Sequence, residues 1–283
     1  GWNAMAYKGL KEIEEKFDAE VSYSESVTQS DMEEVFRGYA EQGYNIIIGH
    51  GFEFVDAALK VAKEYPDVKF LLSNAGVCEE PNVGSFAVSN TEQGFLQGAV
   101  AGVLSKTGKV GTIVGMEIPP IVKVMAGFKA GAQYVNPDIK YISMITGSFE
   151  DAGKSKEVAF SIIEKGVDII MGDPNQAGLG ALEACGEKDI MFIGSTGDFS
   201  SVAPDTVVTS CAQDFPLAMT KVTELIINGQ WKPQDYEYGI KDDAVYLTPY
   251  GEFEDKLTGE QKEQIKNITD DIISVPSVPQ SAY

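Results

Sequence analysis

Five short stretches carry side chains that could grip a flat, polar ring. The first is "GWNAMAYKGL", where Trp2 and Asn3 stand directly ahead of an amphipathic helix. An indole there can stack on a heterocycle, an interaction of roughly 1–3 kcal/mol per base, while the amide beside it both donates and accepts. Position alone favours a core aromatic at a helix entrance. In "GHGFEFVDA" (49–57), Gly49 and Gly51 let backbone approach a ligand, and Phe52 or Phe54 can form an apolar wall or staple the helix that follows. "GDPNQAGLGA" (172–181) offers the amides of Asn175 and Gln176, in what is also ordinary turn chemistry. "GSTGDFSS" (194–201) offers Asp198, a strong acceptor for ring N–H or amino groups or a plain helix cap, with Phe199 beside it. In "SCAQDF" (210–215), Gln213 and Asp214 either reach a ligand or cap the next helix. Each stretch after the first follows an apolar, strand-like run, which is where open α/β sheets bind ligands.

The same residues exclude much chemistry. The one histidine, His50, has no carboxylate or nucleophile in sequence reach and reads as structural or rim-exposed. The glycines around it form no GxGxxG cradle, and the turn lacks a lysine. Cys78, Cys185 and Cys211 are scattered without metal-ligand spacing and read as three buried small apolar side chains. No catalytic residue, metal or cofactor is expected. With 22 basic against 43 acidic residues the net charge is −21, which disfavours nucleic acid and anionic membrane surfaces as partners. No apolar run approaches the roughly 18 residues that span a bilayer.

The elements that must position these residues alternate. Ala6, Leu10, Ile13 and Phe17 recur at helical spacing, "VSYSES" (21–26) reads as a strand, and Ser30 with Glu33 suggests a capping box ahead of the next helix. Buried strands "YNIIIGH", "VKFLLSN" and "NVGSFAV" follow, with a helix over "EQGFLQGAVAGVLSKTG" closing the first set. A second set begins at "KVGTIVG" and runs to "TVVTSCA" (206–212). The pattern predicts an α/β protein of two doubly wound lobes with a hinge, one from 1–108 and 214–247, the other from 109–213 and 248–283. "YEYGI" and "AVYLT" suggest a hairpin turned at Asp242–Asp243, a last helix lies near 258–274, and "SVPSVPQSAY" reads as a loose tail. The first helix lacks the strand that should precede it, so a strand ahead of Gly1 is expected.

These stretches resemble a known family. "GWNAMAYKGL", "GFEFVDAALKVAKEYPDVKF", "NVGSFAVSNTEQGFLQGAVAGVLSKTGKVGTIVG", "VMAGFKAGAQYVNP", "KGVDIIMGDPNQAGLGALEA" and "YGIKDDAV" together look like the basic membrane protein family of ABC-transporter substrate-binding lipoproteins. The resemblance implies the type I periplasmic-binding-protein fold. It also implies a monomeric receptor, lipid-anchored outside the cytoplasmic membrane by a segment beyond this chain, that closes two lobes over a purine and hands it to permease subunits. The family's base-stacking aromatic falls on Trp2, and its polar base partner on Asn3. The family's ribose-holding Asp aligns with Thr196 and its ribose-holding Lys with Gln213; both departures remove groups that grip a sugar. The resemblance therefore points to a free nucleobase of the adenine, guanine or hypoxanthine type, with Asp198 facing the base and Phe199 opposite Trp2.

Three other functions weigh against this expectation. A nucleoside receptor of the same family would need sugar contacts. A purine nucleoside-processing enzyme would need an activated base or nucleophile. The effector lobe of a transcription regulator would need a helix-turn-helix segment.

Overall fold

The computed structural model describes residues 2–173 and 175–274. From the amino end, α1 (Trp2–Phe17), α2 (Met32–Glu41), β1 (Ile46–Gly49), α3 (Val55–Val61), β2 (Lys69–Ser73) and β3 (Val83–Val88) follow one another. Next come α4 (Asn90–Leu104), β4 (Lys109–Val114), α5 (Pro119–Val135), β5 (Lys140–Ile145), α6 (Ala152–Ile163), β6 (Ile169–Gly172) and α7 (Gln176–Glu187). The chain ends with β7 (Met191–Thr196), β8 (Val207–Gln213), α8 (Phe215–Ile227), β9 (Asp235–Tyr238), β10 (Val245–Leu247) and α9 (Gly259–Ser274). The tail expected at the carboxyl end lies, from residue 275, outside the described residues.

Contacts divide the chain into two units. The smaller holds residues 2–88 and 214–238; the larger holds 89–213 and 239–274. The smaller unit's sheet runs β1-β2-β3-β9, all parallel. Its core joins Phe36 and Ala40 of α2 to Ala58 and Val61 of α3 and to Phe70 and Leu72 of β2. The larger unit's sheet runs β10-β8-β7-β6-β4-β5, parallel except for β10. Strands such as β6 and β8 are buried on both faces, as helix-covered parallel strands must be.

The unit boundaries differ from those read off the sequence. The helix expected to close the first lobe, α4, packs on α5 in the larger unit, so the division falls at 88/89 and not at 108. The other division near the carboxyl end falls at 238/239 and not at 247, because β10 pairs with β8. For the same reason the expected hairpin is absent: β9 runs parallel to β3, and a short 3-10 turn at Ile240–Asp242 separates it from β10.

Two local expectations also fail. Residues 21–26 are not a strand: among the described residues no strand pairs with their N–H and C=O groups. They run opposite the unpaired edge of β1, and two cavities of about 530 and 580 Å³ beside them share Leu10, Tyr44, Ile46 and Ile48 as lining. At α2 the capping box does not form: Asp31 holds the cap position, and its carboxylate accepts from the hydroxyls of Thr28 and Ser30 instead of a helix N–H.

Candidate functional site

In the smaller unit an aromatic cluster gathers at the strand ends. Trp2 is the first residue of α1 and not part of a loop ahead of it. Its half-buried indole stacks on the His50 ring, with centroids 4.5 Å apart and planes 21° from parallel. Phe215, at the start of α8, meets both rings edge-on, at 4.7 Å from Trp2 and 5.1 Å from His50, and packs in turn on Phe86 of β3 at 5.4 Å. Such offset and edge-on pairs fix ring positions beyond what simple burial does. His50 follows β1, and its Nδ1 shares a 3.2 Å hydrogen bond with the Ser73 hydroxyl at the end of β2. Burial pushes the His50 pKa down to about 4, so the imidazole beneath Trp2 is neutral at physiological pH. The loop itself is held close: a Cβ on Gly49 would lie 2.7 Å from Phe54 Cβ and 2.8 Å from Leu72 Cδ2, which leaves only glycine room there.

The other residues singled out in this unit take different places. Asn3 is exposed and lines the 580 Å³ cavity together with Glu53 and Phe54. Phe54 stacks on Phe36 at 5.7 Å and so belongs to the packing of α2, whereas Phe52 is 48% exposed. Asp214 caps α8 by accepting from the Leu217 N–H at 2.9 Å.

In the larger unit the chain leaves β4 for β5 on one side and crosses back to β6 on the other. That makes the β4/β6 junction the sheet's topological switch point, where ligands of such sheets collect. Asp173, directly after β6, sits at this junction and is almost wholly buried. Its Oδ2 accepts from the Gly115 N–H, just past β4, at 2.5 Å. Burial raises its pKa to about 6, against the pull of the Gly115 N–H and the Asn175 side chain. Asn175 caps α7, its Oδ1 accepting from the amides of Ala177 and Gly178, while Gln176 is exposed in the first turn.

At β7 and β8 the side chains interlock. Asp198 is exposed and accepts from the Ser200 N–H at 2.9 Å. Phe199 is partly buried against Phe192 and its core cluster, and its N–H donates to the Ser210 hydroxyl. Thr196 has a φ of 68°, a left-handed conformation unusual for a β-branched residue. Gln213, at the end of β8, donates from Nε2 to Gln93 Oε1 (2.9 Å) and to Asn90 Oδ1 (3.2 Å). The thiols of Cys185 and Cys211 are buried and held well above the ordinary thiol range, hence protonated, whereas Cys78, expected to be buried, is exposed. Among the described residues, no three His, Cys, Asp or Glu side chains come together as a metal site would need, and no helix is long and apolar enough to cross a membrane.

Comparison with known proteins sets these strand-end loops in context. A family model described as "ABC transporter substrate-binding protein PnrA-like" matches residues 1–280. The chain belongs to this family. It is 29% identical over 273 residues to the purine-binding protein BAB2_0673 of Brucella abortus, covering 94% of this chain and 77% of that one. It is 31% identical over 255 residues to basic membrane protein A1 of Borrelia garinii subsp. bavariensis, covering 86% of this chain and 74% of that protein. The solved structure of a transcriptional activator of the comK gene from Bacillus halodurans superposes with a TM-score of 0.86 at 27% identity, over 99% of this chain and 96% of that one.

Three residues of this PnrA-like chain that shape its strand ends were not singled out as ligand-binding in the sequence: His50, Gln93 and Asp173. Asp173 had a visible signal, as a carboxylate placed directly after the wholly apolar strand "IIMG". His50 was set aside for lacking a charged partner, and its role as a neutral ring beneath an indole depends on neighbours distant in the sequence. Gln93 sits inside an apolar helix, and nothing local marks what it bonds.

Proposed function

We propose that this chain is the extracytoplasmic receptor of an ABC importer and that its ligand is a purine, a free base in preference to a nucleoside. The observation that carries the reading is the indole of Trp2, half-exposed and braced by His50 and Phe215 on the sheet's strand-end side. A braced ring loses little freedom when a second flat ring stacks on it, which is what a base-binding platform requires. Family membership supplies the transport role, and the Brucella relative is named for purine binding. Thr196 and Gln213 stand where the family resemblance places a sugar-gripping Asp and Lys, and neither bears a charge, which supports the base over the nucleoside. The family also supports a permease partner and a lipid anchor. A chain of charge −21 repels phosphate backbones, so DNA is no part of the proposal.

Thermal unfolding tests the reading directly. A ligand at a hundred times its Kd stabilises by about 2.7 kcal/mol, and the corresponding rise in Tm is several degrees. Adenine, guanine or hypoxanthine should each raise the midpoint more than their nucleosides do, and amino acids should leave it unmoved. A larger shift with adenosine or inosine than with any free base would overturn the preference, and no shift with any purine would overturn the function.

Replacing the indole gives a second check. Trp2→Ala should weaken the best base by about 5- to 150-fold, the equivalent of one lost stacking contact. The far-ultraviolet circular dichroism should stay that of the parent. Unchanged affinity in isothermal titration would make Trp2 a packing residue only.

A further inference from the structure

The polar residues at the start of α4 form a chain of hydrogen bonds whose direction is dictated from one end. Gln93 is 1% exposed, so both ends of its amide need partners. One end lies 3.1 Å from the backbone carbonyl of Cys211, which can only accept. That end is therefore Nε2, and it also reaches the hydroxyls of Ser195 and Thr196 at 3.3 Å. The other end must then be the oxygen, and it faces Gln213 at 2.9 Å. Gln213 must turn its own Nε2 toward that oxygen, and the second hydrogen goes to Asn90. Both amide hydrogens of Gln213 are thus engaged. Its Oε1 accepts from none of the described residues, although the residue is only 8% exposed.

We propose that Gln93 is a positioning residue that relays the polarity of the Cys211 carbonyl to Gln213, so that Gln213 presents an acceptor and the ligand group it meets must be a donor, a ring N–H or an exocyclic amine. The inference rests on the purine reading for its ligand and deepens it. Its geometry stands on the larger unit alone. Thr196 reinforces the relay: its left-handed backbone is costly for a β-branched residue, and the bond from Gln93 to its hydroxyl helps hold it. An amide free at both ends would offer either face. The relay removes that freedom, and facing the wrong polarity leaves a buried group unpaired, a loss of about tenfold or more in affinity.

The test pairs adenine with hypoxanthine, which exchange donor and acceptor along one edge. The wild-type chain should prefer one of them by about tenfold. Gln93→Met keeps the volume and removes the relay, so that ratio should fall to within about threefold while the variant still melts cooperatively. Gln213→Met should weaken the preferred base about tenfold, which checks that Gln213 touches it. A ligand-free measurement stands beside these: the side-chain amide protons of Gln213 should exchange slowly by NMR in the wild type and rapidly in Gln93→Met. An unchanged base ratio in folded Gln93→Met overturns the relay and leaves the purine reading intact. Failure of the wild type to bind any purine overturns the reading, and the relay then stands or falls on the exchange rates. Fast exchange of the Gln213 amide in the wild type overturns it outright.

Discussion

Gly98→Ala is expected to lower the stability of the chain by about 3 kcal/mol, at the upper end of what added core volume costs. A Cβ at position 98 would lie 1.9 Å from the Phe128 carbonyl oxygen and 2.7 Å from its carbon. These are backbone atoms of α5, so no side chain can turn aside. The contact is reciprocal: a Cβ on Gly131 would fall 1.9 Å from Phe95 O, on Gly94 2.0 Å from Val124 O, and on Gly127 2.3 Å from Thr91 O. Two glycines four apart on each helix let α4 and α5 meet backbone to backbone, the arrangement small-residue stripes make possible when helices cross closely. The helices can accept a methyl only by separating, which removes contacts along their whole length. Gly153→Ala, on the exposed first turn of α6 with only Asp151 Oδ1 nearby at 3.6 Å, is the control and should raise the midpoint slightly. Calorimetric melts decide it. Equal midpoints for Gly98→Ala and the parent would mean that the two helices do not approach this closely. The effect reaches the site as well, since Gln93 precedes Gly94 on the same helix and its bonds to β7 and β8 depend on where that helix lies.

The glycine stripe shows what the sequence discloses and what it withholds. Gly94, Gly98, Gly127 and Gly131 are visible as small residues four apart, but their spacing does not say which helix answers which. Read alone, α4 follows the strands of the first set and was placed with them, whereas its partner is α5, which comes after the boundary. The alternation of strands and helices was legible because buried parallel strands are short apolar runs, and β1 to β8 lie on such runs. Residues 21–26 show the limit of that signal. Their composition suits a strand, yet a strand is a pairing between backbones, and composition cannot supply the neighbour. The site divides along the same line. The caps Asn175 and Asp214 were recognisable from residue type and position after a strand. Phe54 and Phe199 are equally aromatic and equally placed, but they turn toward Phe36 and Phe192. Which way a side chain points depends on tertiary neighbours, as does the burial that sets the protonation of His50 and Asp173.

Asp173→Asn should make the chain more stable at pH 7.5 by roughly 3 kcal/mol, the equivalent of a shift of about two pKa units, and equally stable near pH 3.5. The sign follows from where the proton is held. Burial raises the folded-state pKa of Asp173 from 3.8 to about 6, so between those values the folded chain binds the proton more firmly than the unfolded chain does. The stability this group contributes is complete below pH 3.8 and is lost as the pH rises through 6, where the carboxylate must ionise while buried. Asparagine mimics the protonated acid, with one acceptor end for the Gly115 N–H and one donor end, and carries no charge at any pH. His50 works in the opposite sense. Its folded pKa near 4 lies below the ordinary 6.5, so its contribution is lost as the pH falls from 6.5 through 4. The two slopes oppose each other in the parent, and the measurement must therefore be the difference between variant and parent at each pH, which cancels His50 and every other carboxylate. Urea titrations at half-unit intervals from pH 3.5 to 7.5 supply it. Parallel stability curves, or a variant weaker than the parent at pH 7.5, would show that Asp173 ionises without penalty. A widening gap above pH 4 would show a carboxylate kept at a cost at the switch point of the sheet, and a buried charge kept on such terms marks a place where function, not folding, has set the residue.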